Sequence, residues 1–145
     1  MLFSEAIRLG SMFGPKCKNK LTKDGGFCAM GAAYLALGST PVDLAVSPDK
    51  LRKELKKSDY YKTLLGKEPK NKVMCNECVE LRIEQKCLAP TGIWNSIVCL
   101  NNHTDLTREQ IADWVQEEEK LLGLWKDRDE VIEDNLVEEK ELVYQ

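Results

Sequence analysis

Cys75-Asn76-Glu77-Cys78, then Cys87, then Ile97-Val98-Cys99-Leu100-Asn101-Asn102, then Thr107-Arg108-Glu109-Gln110-Ile111-Ala112-Asp113-Trp114-Val115 make up the stretch around which this chain is organised. Its last part decides the fold. Thr107 and Gln110 have the spacing of a capping box, in which each side chain satisfies a free amide of the other residue. Leu106 and Ile111 flank that start as a hydrophobic staple. Ile111, Trp114, Val115 and Leu122 then recur at helical spacing, which predicts a buried stripe on an amphipathic helix.

Upstream of that helix, Ile93, Trp94, Ile97, Val98 and Leu100 are core candidates. Ile97–Leu100 is too short an apolar run to separate a strand from a helix end. Phe27–Leu37 is the most apolar segment, and Phe27, Met30, Tyr34 and Leu37 share one helical face. Cys28, Gly31 and Ala32 form a small-residue face that lets another element come close. Ser47-Pro48-Asp49 starts a further helix, with serine as N-cap and proline at the first helical position; Leu51 and Leu55 face inward. Phe3 and Ile7, with Met12 and Phe13, predict a first helix with Ser4 as its N-cap and Gly10 and Gly14-Pro15 at its end. Lys16–Gly26 reads as a polar loop containing Cys17 and closed by the turn Asp24-Gly25-Gly26. The fold class expected is mainly α: one small helical domain with at most a minor β element. Residues 1–122 would be the helical core domain and 123–145 an acidic C-terminal helix or tail.

A length of 145 residues suits a single core. Hydrophobic residues make up 43% and charged residues 31%, which fits a globular chain rather than a disordered one. The net charge of −3 gives no general case for nucleic acid. The charge is uneven, however. Lys50–Lys72 carries nine Lys/Arg against three Asp/Glu, and Glu117–Glu141 carries four against eleven. Such runs read first as solvated helix faces. They also suggest halves that attract, within the chain or between copies, and a weaker reading has Lys50–Lys72 touching phosphates. A protein partner or self-association is therefore expected, and nucleic acid and membrane are not. No apolar run reaches the ~20 residues of a membrane span. The N-terminus lacks a basic segment followed by an apolar one, so a cytoplasmic location is expected. The six cysteines are then thiols or metal ligands rather than a disulfide framework.

Cys75-x-x-Cys78 can present two thiolates to one tetrahedral ion, and Cys87 is near enough to be a third ligand. This predicts a structural zinc. The fourth ligand is left open among Cys99, His103, Cys17 and Cys28. A competing candidate is a cysteine hydrolase. Cys28 follows Gly25-Gly26 at the start of an apolar helix, where a helix N-terminus lowers a thiol pKa. His103, the single histidine, would be its base, oriented by Asn101, Asn102 or Asp105. Against this, Phe27-Cys28-Ala29-Met30-Gly31-Ala32 reads as core.

The segments Ser4–Ser11, Gly26–Ala32, the Cys-x-x-Cys, Ile97–Asn101 and Thr107–Val115 together resemble a group of small uncharacterised bacterial and phage proteins. In that group a Cys-Ala-x-Gly-Ala helix is followed by a Leu-Asn-Asp turn and a Thr-Arg-Glu-x-Ile-Ala-x-Trp helix. The chain departs from the pattern at Asn102, in place of Asp, and at Leu106, in place of Trp. No activity comes with the group, so no site residue is carried over. The resemblance implies a cytoplasmic, mostly helical domain of prokaryotic or phage origin. The function expected is a non-enzymatic interaction or adaptor protein with a structural zinc site at Cys75, Cys78 and Cys87. The alternative is the hydrolase using Cys28 and His103.

Overall fold

In the computed structural model, which describes residues 1–72 and 92–125, two short helices cross in backbone contact. Helix α1 (Phe3–Gly10) buries Phe3, Ala6, Ile7 and Gly10, a single face at helical spacing. Helix α2 (Ala29–Ala36) follows Cys28. Where they meet, a Cβ added to Gly10 would lie 1.7 Å from the carbonyl oxygen of Ala32. On the same small-residue face of α2, a Cβ on Gly31 would lie 2.1 Å from the carbonyl oxygen of Leu21. The close approach expected of that face is thus made twice, once by a helix and once by a loop.

The loop before α2 contains a small hairpin. Strand β1 (Thr22–Lys23) pairs antiparallel with β2 (Gly26–Phe27), with Thr22 opposite Phe27 and Lys23 opposite Gly26. Asp24 and Gly25 turn it with φ of 53° and 79°, the doubly left-handed geometry that asparagine, aspartate and glycine supply most readily. The segment read as a polar loop therefore holds the minor β element.

Helix α3 (Pro41–Val46) is an addition to the expected helices, started by a full capping box between Thr40 and Asp43 with proline at its first position. Leu44 is its buried residue, so it offers little apolar periodicity to detect. Helix α4 (Pro48–Lys56) begins where Ser47-Pro48 predicts and buries Leu51 and Leu55. A wide helical turn at Tyr61–Leu65 buries Leu64 and Leu65. Helix α5 (Ile93–His103) resolves the ambiguity at Ile97–Leu100 in favour of helix. Helix α6 (Arg108–Leu121) begins with the predicted capping box: Gln110 N donates to Thr107 Oγ1 at 3.1 Å, and Thr107 N donates to Gln110 Oε1 at 2.9 Å. The described residues are mostly helical with one two-stranded hairpin. No helix among the described residues is long and apolar enough to cross a membrane.

Several residues are placed otherwise than the sequence suggests. Ser4 is not the N-cap of α1. The cap is Leu2, in an extended conformation and without a capping side chain. Glu119 of α6 serves instead: its carboxylate accepts the Ser4 amide at 3.3 Å and the Ser4 hydroxyl. It thereby satisfies a first-turn donor that the helix cannot. Met12 and Phe13 do not extend the apolar face of α1; they form a 3-10 turn (Ser11–Phe13) and are 81% and 62% exposed. Within the α6 stripe Ile111 and Val115 are buried. Trp114 is only half-buried, and its indole donates to the carbonyl of Asn71 at 3.2 Å. The acidic run is not wholly solvated either. Glu118 is fully buried and accepts the amides of Lys70 and Asn71 at 2.9 and 2.7 Å. Basic segment and acidic helix do meet here, but through backbone amides rather than lysine charges.

Two experiments probe this frame. Gly10→Ala forces the α1 and α2 backbones apart and is expected to cost ~3 kcal/mol in urea unfolding, against ~1 kcal/mol for Thr107→Ala, which removes one cap acceptor. Equal effects would contradict the backbone contact. The second concerns pH. Burial holds the Glu119 carboxyl above its ordinary value, against the hydrogen bonds from Ser4 and Trp125. The folded state therefore binds this proton more tightly than the unfolded chain. The resulting stabilisation is complete below about pH 4.5, the ordinary value, and is lost as pH rises through the raised one. Wild type should lose stability relative to Glu119→Gln as pH climbs from about 4 to about 8; a difference that does not change with pH refutes this.

Candidate ligand-binding cavity

The N-terminus of α2 is where three elements converge on one small space. Cys28 caps the helix, and its sulfur accepts the Gly31 amide at 3.3 Å. Asn101, on α5, accepts the Ala29 amide through Oδ1 at 2.9 Å. Its Nδ2 donates to the Cys17 carbonyl at 2.9 Å and to Asn102 Oδ1 at 3.0 Å. Asn102 Oδ1 also accepts the amide of Asn19 at 2.8 Å. The buried Asn101 thus ties the helix start, the Cys17 loop and α5 together, with its amide group fully used.

Beside this knot lies a cavity of about 80 Å³. Cys28, Met30 and Tyr34 line it from α2, Arg52 from α4, and Trp94, Val98, Asn101 and Asn102 from α5; Asn19, Lys20 and Leu21 close it from the loop. Tyr34 is 5% exposed, and its hydroxyl is buried without a hydrogen-bond partner among the described residues. Such a group ordinarily costs ~1–3 kcal/mol and calls for an explanation. Burial raises its pKa, so it remains a phenol and a donor. Arg52 Nη1 donates to Asp49 Oδ1 at 2.9 Å on an exposed flank. A second, larger space of about 390 Å³ adjoins the first and shares Arg52, Trp94 and Val98 with it; Lys56 and Tyr61 also line it. Tyr61 and Trp94 meet edge to face with ring centroids 6.2 Å apart.

Cys28 is 8% exposed, and burial pushes its thiol up to about 11, outweighing the hydrogen bond from Gly31. The expectation that a helix start lowers this pKa is therefore corrected: the same packing that seats the helix removes the water a thiolate needs. His103 lies in the last turn of α5, half-buried, and does not line the cavity that Cys28 lines. Cys17 is half-buried, with its thiol donating to the Lys20 carbonyl at 3.3 Å; Cys99 is buried. Cys75, Cys78 and Cys87 lie outside the described residues. Among the described residues, no group of three or more histidine, cysteine, aspartate or glutamate side chains is placed to hold a metal ion.

Sequence reasoning missed Tyr34 and Arg52. Tyr34 reads as core from its spacing, yet a phenol in so apolar a helix always raises the question of its partner. Arg52 is hidden in a lysine-rich run. Set against protein-family models, curated proteins and solved structures, the chain matches none.

Asn101→Ala strands the Ala29 amide and the Cys17 carbonyl at once. It is expected to cost about 2 kcal/mol in urea unfolding, more than Asn102→Ala. Indistinguishable effects would show that the knot does not hold the helix start.

Proposed function

We propose that this chain acts by binding, as an interaction or adaptor protein of prokaryotic or phage origin, and not as an enzyme. The observation that supports this reading is the state of Cys28. A thiol raised to about 11 leaves roughly one molecule in ten thousand as thiolate at neutral pH, and the thiolate is the nucleophile. The hydrolase reading needs that thiolate and a base beside it. Iodoacetamide at neutral pH, followed by peptide mapping, should label Cys28 of the folded protein much more slowly than the same residue in urea. Fast labelling in the folded state, abolished by His103→Ala, would reverse the ranking and make Cys28 and His103 a catalytic pair.

The proposal includes one structural zinc, on the spacing of Cys75, Cys78 and Cys87 in the sequence. Thiolates so close in sequence repel one another unless a cation or protons intervene, and zinc binds them tightly. Elemental analysis of native protein is expected to find about one zinc per chain by the four-ligand logic of such sites, and less after Cys75→Ser or Cys78→Ser. Folded protein free of metal would remove zinc from the reading. A protein partner or a second copy of the chain, met in the cytoplasm, completes it.

A further inference from the structure

We propose that the cavity between α2, α4 and α5 is a receptor for a small free carboxylic acid, bound as its anion, with Tyr34 and Arg52 engaging the carboxylate and Trp94 flanking its apolar body. This goes beyond the adaptor reading and does not depend on it.

Three observations carry the inference. The first is Tyr34. It lines the cavity, is nineteen-twentieths buried, and has a hydroxyl with no acceptor among the described residues. Phenylalanine would fill the same place without stranding a donor, so the hydroxyl calls for an acceptor beyond the described residues, which a bound ligand would supply. The second is charge. Lys20 and Arg52 line the cavity and Lys56 lines the adjoining space, while among the described residues no carboxylate lines either. Asp49 engages only one terminal nitrogen of Arg52, so the rest of the planar guanidinium fork is available for a carboxylate. Burial, outweighing the opposite pull of nearby Arg52, keeps Tyr34 a neutral donor. The third is shape. Leu21, Met30, Val98 and Trp94 supply apolar wall around those few polar groups, the usual make-up of a small-molecule site. The volume of about 80 Å³ suits a short acid and is about half that of an apolar cavity that takes up benzene. A longer apolar body would follow Trp94 toward the adjoining space.

The test is a titration of the full chain, followed by amide and indole NMR, with isobutyrate and benzoate. Isobutyramide and benzamide serve as uncharged matches of the same shape. Saturable shifts at Ala29–Tyr34 and at the Trp94 indole are expected with at least one acid, and about tenfold weaker binding with its amide. Tyr34→Phe should fold at least as stably as wild type, since it removes only a stranded hydroxyl. Both it and Arg52→Gln should weaken acid binding by about tenfold. No saturable shift with either acid would mean that the space holds water only, and would overturn the proposal. So would equal binding of acid and amide, or acid binding untouched by the two variants.

Discussion

The backbone contact between α1 and α2 at Gly10 and Ala32 is the constraint from which the rest of the structure follows. Side-chain packing normally keeps helix axes 8–10 Å apart. Here the absence of a Cβ at Gly10 brings the Ala32 carbonyl against the α1 backbone. Such proximity leaves α2 little freedom to slide or rotate. Gly31 on the same helix takes the Leu21 carbonyl in the same way, so the loop carrying the hairpin is pinned as well. With α2 fixed on two sides, the direction of its N-terminus is fixed too. The positions of Cys28 and of the cavity beside it are consequences.

Buried polar groups then tie the elements together. Each one satisfies backbone that regular structure leaves open. Glu119 caps α1 from another helix, and Glu118 takes two amides of the Lys70–Asn71 turn. Arg108 donates to the carbonyls of Phe27, Ser11 and Gly14, holding the loop between α1 and α2 against the start of α6. Asn101 does the same for the start of α2. Directional bonds to specific amides and carbonyls add a unique arrangement, because each fits only one register of its neighbour.

The cavity owes its chemistry to the same packing. Desolvation holds Cys28 as a thiol and Tyr34 as a phenol, so neither contributes charge. The cationic side chains around them belong to exposed flanks of the loop and of α4. A space with neutral donors inside and cations at its edge favours an anion. It is a poor place for a nucleophile, which needs water or a partner base to ionise.

The sequence by itself determined the local features. The capping box at Thr107, the proline start of α4, the Asp24-Gly25 turn and the burial of Met30 and Tyr34 on α2 were all legible, although Phe27 lies in β2 and Leu37 is exposed. Each depends on residues within a few positions of one another, where bond geometry leaves few alternatives. The small-residue face of α2 was legible as well, though not which elements would use it. Tertiary structure alone decided which members of the acidic run are buried, since Glu118 and Glu119 are indistinguishable in composition from their solvated neighbours. It likewise decided that Ser4 is capped rather than capping, and that Tyr34 lacks an acceptor among the described residues. It set the state of Cys28, where a favourable helix start is outweighed by desolvation. Burial is a sum over every element packed around an atom, and those elements come from positions as far apart as Leu21, Arg52 and Asn101. No local pattern contains that sum.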